Sequence, residues 1–383
     1  MNRRVWLKLT AGAVATAMCG VGWRAWTNGL IDGDDRSFEL WRSWSSLDGT
    51  RLLVAAAVLA ANPHNSQPWR FRVDESTVEV YRDLTRALGP VDPFSRQMWI
   101  GVGCAIENVV VAARGRGLGL TLDPPGEAAW VARARIVGVA APERRHLDAI
   151  ARRHTNRGAF HRDRPLERAV LDALRSQVSN EVTRLVVHAW DSPHGRTFTD
   201  GIATSTARLI EDAQFMEATD RWFRLTPREL MSHRDGPSLL TSGLGRLTRW
   251  LAVLAPRPSA KRSHDEWLRS TVERHLGTAP SFGILCVRDA STPSQLIAAG
   301  RLWQRLHLEA TALGLGAQPL DQMLELADRA RQIGRADDTE ARLRGLVDPG
   351  WLPVLMFRIG WPKQPAPASA RRPLSEFVSG VSS

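Results

Sequence analysis

Residues 62–71 read Asn-Pro-His-Asn-Ser-Gln-Pro-Trp-Arg-Phe, and this proline-bounded run restricts the fold more than any other part of the chain. A proline at 63 drives its predecessor out of helical backbone, so the alanine-rich helix predicted over Leu52–Ala61 must stop at Asn62. From Trp69 to Val73 apolar and polar residues alternate, as in a strand. The segment is therefore a helix-to-strand turn that carries three side-chain amides, Asn62, Asn65 and Gln67, and ends in an indole. About ninety residues later comes a second compact motif, Arg152-Arg153-His154-Thr155-Asn156-Arg157, with Phe160 shortly after it. Amides and an indole suit the edge and face of a flat heteroaromatic ring, and guanidinium forks suit a phosphate. Together the two motifs describe a pocket for a phosphorylated planar cofactor.

At 383 residues the chain can form one large or two medium domains, each with its own core. A net charge of +11 comes almost wholly from arginine, since Lys8, Lys261 and Lys363 are its only lysines. The arginines are dispersed, without a polybasic run or any signature of a nucleic-acid-binding fold, so they read as solvated surface with a weak attraction to anionic membranes. Cys19, Cys104 and Cys286 lie far apart and form no Cys-x-x-Cys pair, which argues for packed, inert thiols. The ten histidines show no metal-ligand spacing, so no metal is expected. Gly115-x-Gly117-x-Gly119 lacks the dinucleotide fingerprint, and there is no Walker loop, Gly-x-Ser-x-Gly elbow or His-Glu-x-x-His.

The N-terminus reads as an address. Asn2-Arg3-Arg4-Val5-Trp6-Leu7-Lys8 resembles a twin-arginine export signal and is followed by a small-residue apolar stretch, Leu9 to Val21, too short to span a bilayer. Ala15-Thr16-Ala17 offers a cleavage site, while Trp23 and Trp26 offer an interfacial anchor if cleavage does not occur. The expected location is the periplasm or cell envelope, reached through the twin-arginine machinery. An exposed linker is expected at Asp32 to Arg36.

Further along, Thr77–Tyr81 should complete a β-hairpin with the strand from Trp69, and Trp99–Ala113 returns to helical spacing. A strand follows at Ala134–Val139. The same succession recurs: helix Leu166–Val178, strand Leu185–Trp190, a helical region from Ile202 to Leu225, strand Ser281–Val287, a long helix from Leu296 to Leu313 and a closing strand Trp351–Ile359. Both long helices run into glycine-rich ends, Gly115-Arg116-Gly117 and Gly314-Leu315-Gly316, and this is the mark of a diverged repeat. Residues 226–265 interrupt the second copy, either as a lid over the pocket or as a surface excursion.

The two motifs resemble those of the FMN-dependent nitroreductase superfamily. Arg153, Thr155 and Arg157 fit its Arg-x-Ser/Thr-x-Arg/Lys stretch, and Asn65, Gln67, Pro68 and Trp69 fit its Asn-x-Gln-Pro-Trp stretch, but in reversed order. In the ordinary family each flavin takes one motif from each subunit of a dimer. Reversal therefore implies an α+β chain of two fused nitroreductase-like units that mimic the dimer, similar to the Acg-type branch. The expected layout is a signal or anchor at 1–30, copy one at 31–145 and copy two at 146–383, in a monomer holding one FMN.

The resemblance also assigns roles. Arg153, Arg157 and Thr155 would hold the FMN phosphate, with His154 along the cofactor and the late pair Arg371-Arg372 returning to the phosphate. Asn65 and Gln67 would face the ring's pyrimidine edge, Asn62 and Pro63 would line ring or ribityl chain, and Leu320 marks where the family offers backbone donors near flavin N5. No side chain is assigned as catalytic acid or base. The implied activity is hydride transfer from NAD(P)H through flavin to an electron-poor acceptor such as a nitroaromatic or quinone. The alternative is a non-catalytic FMN-binding or storage protein of the envelope.

Overall fold

The computed structural model describes residues 22–30, 36–123 and 130–379. The twin-arginine segment, the apolar stretch with its cleavage motif and Cys19, and the acidic part of the linker lie outside the described residues.

The chain is an α+β protein built on two sheets. Its strands are β1 (Trp69–Val73), β2 (Thr77–Arg82), β3 (Leu118–Asp123), β4 (Ala132–Val139), β5 (Thr183–Ala189), β6 (Ser281–Val287), β7 (Gly316–Pro319), β8 (Leu352–Gly360) and β9 (Val378–Ser379). One sheet has the order β3-β4-β2-β1-β9 and the other β5-β6-β8-β7. Apart from β9, both are antiparallel with the order first, second, fourth, third. β9 is the exception: it comes from the far end of the chain and adds in parallel to β1 through Phe71↔Val378.

The helices that matter for the site are α1 (Gly49–Val58), α2 (Arg96–Gly115), α3 (Pro193–Ile210), α4 (Arg246–Leu254), α5 (Pro293–Ala312) and α6 (Gln322–Gln332). α2 and α5 occupy equivalent places, each between the second and third strands of its sheet, and they cross in the middle of the molecule. Gly103 and Gly300 mark the crossing, each the eighth residue of its helix. A methyl group at Gly103 would run into the Ile297 carbonyl, and one at Gly300 into the Ile100 carbonyl. Only glycine permits so close a backbone approach. The Cys104 thiol also donates to Gly300 O at 3.2 Å.

A polar seam ties this pair to α1. Gln304 donates to Asn108 Oδ1 at 2.7 Å and accepts from the Ala61 amide, while Asn108 donates to Ala56 O at 2.7 Å. Buried amides are kept at low cost only when paired in this way. Around the seam, α1, α2, α5, β1 and β2 share one apolar core, whereas Phe198 of α3, Phe282 of β6 and Met323 of α6 build a second. α2 is long and apolar enough to cross a membrane, but 89% of that stretch is buried inside the protein. The two cysteines in the described residues are free and buried, as expected, and burial pushes the Cys286 thiol up to about 12.

The expected strands are present, with shifts of one or two residues at half of their ends. The helical region expected from Ile202 instead begins at Pro193, where the Ser192 hydroxyl accepts from Gly195 N, and it breaks into two helices at Asp212. β7, α6 and β9 lie beyond the expected pattern. The 226–265 segment is itself mostly helical, with helices at Pro227–His233 and α4, and another, Ala260–Arg269, begins within it.

Candidate functional site

The site begins at the C-terminal end of α1. The last carbonyls of a helix lack intrahelical partners and carry the negative end of its dipole, so they attract cations. Two guanidinium groups converge there. Arg371 donates to Val58 O at 2.7 Å and to Ala60 O at 3.2 Å, and Arg153 donates to Leu59 O at 3.0 Å. Arg371 also donates to Asn65 Oδ1 at 2.6 Å, while Asn65 Nδ2 donates to Ala370 O at 2.9 Å. The amide turn, the basic motif and the late arginine pair, drawn from distant parts of the chain, thus form one network.

The turn is strained. His64, Asn65 and Gln67 all have left-handed backbone, with φ of 48°, 49° and 54°. Such geometry costs energy in residues with side chains and persists only where its surroundings enforce it. Here the side chains supply the enforcement. Asn62 Oδ1 accepts from Gln67 N at 2.8 Å, and Gln67 donates to Arg234 O at 2.9 Å and accepts from Arg372 N at 3.0 Å. Pro63 packs on Gly101 of α2. In this structure Asn62, Asn65 and Gln67 therefore spend their amides holding the turn and the arginines.

Arg153 and Arg371 are buried, and neither has a carboxylate partner among the described residues. Arg157, half-buried beside His64, also lacks one; it makes one long hydrogen bond, 3.4 Å, to Thr241 O. Burial pulls Arg153 and Arg157 down to about 10, and burial together with the Arg153 charge pulls Arg371 well below its ordinary range. Arg96 makes the contrast. It is equally buried but flanked by Asp328 at 2.9 Å and Asp321 at 3.6 Å, and those carboxylates outweigh desolvation and raise its pKa. Buried cations without counter-ions are costly, and a bound anion would relieve that cost.

Histidines and an indole complete the wall. The His154 ring meets Trp41 edge-on at 4.5 Å, and the Arg371 guanidinium lies 4.8 Å from the Trp41 ring centre. Burial and the neighbouring Arg153 and Arg371 hold His154 down to about 3, and burial and Arg157 hold His64 down to about 4. Both are therefore neutral donors or acceptors near pH 7. Five buried polar atoms without partners gather on this region: Ser66 Oγ, Arg153 Nε, His154 Nδ1, His307 Nε2 and Arg372 Nη1. Orphaned buried donors are costly unless a ligand satisfies them. Donors that converge among unpaired cations suit a phosphate.

The other expected residues are placed as follows. Thr155 is half-buried on the extended segment between Arg153 and Arg157. Arg372 pairs with Glu376 at 2.7 Å. Leu320 lies in the second core, and its amide already donates to Met356 O at 2.7 Å, so it offers no spare backbone donor. That bond continues the β7–β8 ladder one residue past its end.

Trp41, His307, Ser369 and Arg358 are site residues that the motifs do not reveal. Arg358 sits inside the apolar run of β8, wholly buried, and donates to Gln318 Oε1 and to the carbonyls of Asn156 and Gly158, fixing the turn that carries Arg157. Its signal in the sequence is a lone arginine in an otherwise apolar strand.

The 226–265 segment folds onto the motifs. The Gly236 amide donates to Asn65 O at 3.3 Å, and Arg234 O receives the Gln67 amide. Asp235 pairs with Arg224 at 2.6 Å and with Arg86. Gly243 presses against the Arg157 carbonyl so closely that a side chain there would collide.

Fold and site together define an α+β protein with a buried, cationic, donor-rich cluster at the C-terminal end of α1. No protein-family model matches the chain. It is similar to the "Putative NAD(P)H nitroreductase acg" of Mycobacterium tuberculosis H37Rv, 26% identical over 342 residues, covering 86% of this chain and 95% of that one. The "Putative NAD(P)H nitroreductase Rv3131" of the same organism is 23% identical over 355 residues, covering 86% and 90%. Among solved structures, the FMN-dependent nitroreductase NfnB from Mycobacterium smegmatis in complex with NADPH is 18% identical, with a TM-score of 0.39, over 62% of this chain and 98% of that one.

Proposed function

We propose that this chain is an FMN-binding oxidoreductase of the nitroreductase superfamily, built as two fused units. The observation that carries the reading is the network in which Arg153, Arg371 and Asn65 meet at the end of α1, with two buried guanidinium groups lacking carboxylates. The matching order of the two sheets and the equivalent crossing glycines support the fusion, and the names of the two relatives support a nicotinamide-dependent nitroreductase activity. The sequence of residues 2–8 supports twin-arginine export.

In this reading Arg153, His154 and Arg371 hold the phosphate, with Arg157 and Thr155 on the same segment. FMN, when bound, supplies hydride transfer between NAD(P)H and an electron-poor acceptor. The protein's part is binding, orientation and electrostatics. The neutral His154 and His64 add no further positive charge beside the arginines at neutral pH. Asn65 and Gln67 act as positioning residues, since they lock the turn and the arginine pair.

A second reading, FMN storage without turnover, is favoured by the 234–236 corner, which is bonded directly onto Asn65 and Gln67 and screens the turn from outside. One experiment separates the readings. Purified protein should release FMN on denaturation, and anaerobic NAD(P)H should bleach the bound flavin; a flavin that stays oxidised selects storage. Arg153→Ala with Arg157→Ala should lower FMN affinity by about a hundredfold or more, from the loss of charge-assisted hydrogen bonds of roughly 1.5–3 kcal/mol each. Full retention in that variant would refute the phosphate site.

A further inference from the structure

Helix α4 is inside out. Its residues Leu247, Trp250 and Leu251 fall at helical spacing on one face, yet they are 70%, 50% and 53% exposed, while only Val253 of this helix is buried. A surface helix ordinarily turns its apolar stripe toward the core. An outward stripe marks a surface that meets another apolar phase.

A second element lies against it. The helix at 22–27 is tied to the end of α4 by Asn28 Nδ2 donating to Val253 O at 2.6 Å and by Arg24 to Leu254 O at 3.5 Å. It exposes two more indoles, Trp23 at 64% and Trp26 at 51%. Three tryptophans therefore stand outward on two joined helices. Tryptophan favours the headgroup level of a bilayer, where its ring is buried and its N–H stays wet.

Charge points to the same occupant. Residues 236–264 contain Arg246, Arg249, Arg257, Lys261 and Arg262 and no aspartate or glutamate; Arg257 pairs with Glu229 and Lys261 with Asp265, which leaves Arg246, Arg249 and Arg262 without a carboxylate among the described residues. The chain just before this surface, residues 9–21, is an apolar stretch with no charged residue. Outward Leu and Trp with a local excess of cations, on a surface that follows an apolar leader in the sequence, match the composition of an interfacial helix. We propose that α4, together with the 22–27 helix, docks into the headgroup region of an anionic lipid bilayer.

The position of α4 gives this docking a consequence for the pocket. Arg249 donates to Leu240 O at 2.6 Å, and the next residue's carbonyl, Thr241 O, accepts from Arg157. The lipid-facing helix is thus joined to the segment that closes on Arg157. Resting on the flavin reading above, this favours an acceptor dissolved in the membrane, of the quinone class, over a water-soluble one.

The test places an environment-sensitive fluorophore at Leu247→Cys in the full-length chain, in a Cys19→Ser background; Cys104 and Cys286 are buried. A matched probe at Val139→Cys, which is 92% exposed on β4, reports a surface away from α4. Vesicles of phosphatidylglycerol and phosphatidylcholine should shift the 247 probe to the blue, and lipids spin-labelled near the headgroup should quench it. The 139 probe should not respond, and pure phosphatidylcholine should require at least about tenfold more lipid for half the signal. Arg246→Glu should raise the half-signal lipid concentration about tenfold. Equal responses at 247 and 139 would overturn the proposal, because the leader alone would then hold the protein to vesicles. A blue shift without lipid that grows with protein concentration would also overturn it, in favour of a second copy of this chain on the same face. These readouts use no flavin chemistry, so their failure is distinguishable from failure of the oxidoreductase reading.

Discussion

The turn at 62–68 and the turn at 176–182 occupy the same place in the two halves. Each follows a helix, α1 or Arg168–Arg175, and each leads into the first strand of its sheet. Beyond that they share little. The first holds three left-handed residues, is partly buried and gathers two unpaired arginines. The second has no left-handed residue and is mostly exposed; Asn180 Oδ1 accepts from the amides of Val182 and Thr183, at 3.1 and 2.9 Å. Arg305 reaches its Gln177 carbonyl at 3.3 Å, but that arginine is already paired with Glu107. Topology repeats, while the polar equipment exists once. The proposed binding chemistry lives in a handful of side chains, and the shared strand order alone would not locate it.

Four experiments test that contrast. The largest effect is expected from pH, measured as stability of the flavin-free protein. His64 and His154 have folded pKa values depressed from 6.5 to about 4 and about 3, so the stability they contribute is present above pH 6.5 and is lost as pH falls toward those values. Each contributes a slope of at most about 1.4 kcal/mol per pH unit. His154→Gln should flatten the acid limb; an unchanged limb would mean the ring is not buried among the arginines. The 176–182 turn has no histidine to contribute.

Next in size, Arg371→Ala should weaken FMN binding about a hundredfold, about 2.7 kcal/mol, whereas Asn180→Ala should leave it within about twofold, both by titration of the apoprotein. Comparable losses at both positions would mean that the halves do not differ as described. The crossing glycines test the resemblance of the halves. Gly103→Ala and Gly300→Ala should each destabilise by about 1–3 kcal/mol in urea, and by similar amounts, because each adds a methyl against a facing backbone carbonyl. The smallest difference concerns the amides themselves. Gln67→Ala should cost about 1–3 kcal/mol by stranding buried partners, and Asn180→Ala about 1 kcal/mol, as for a surface cap.

Much of this architecture is legible in the residues. The alanine-rich run marks α1, although the helix ends at Val58 and not at the Asn62 that Pro63 restricts, alternation marks β1 and β2, and apolar spacing marks α2 and α5. β9 is not legible, since Val378-Ser379 becomes a strand only because β1 offers an open edge. The start of α3 is hidden because Thr197, Thr199, Asp200 and Gly201 dilute its apolar signal. Within the site, the pairing of donor types in the two motifs points to one region shared by Arg153 and Asn65, but nothing in them shows the amides spent on the turn. Side-chain hydrogen bonds to carbonyls of residues 58–60, 234 and 370 leave no trace in composition or period. Likewise, the sequence of 226–265 offers two readings and gives no sign that Arg234 and Gly236 bond to the turn.

The late return of the chain has a consequence for biogenesis. Arg371 and β9 lie some three hundred residues after the helix and strand they join, so a nascent chain that ends before them lacks one of the two guanidinium groups at the end of α1 and one edge strand of its first sheet. On the proposed flavin reading, cofactor capture must then wait for this late segment, and a chain truncated just before Ser369 should retain no flavin while its second sheet still forms.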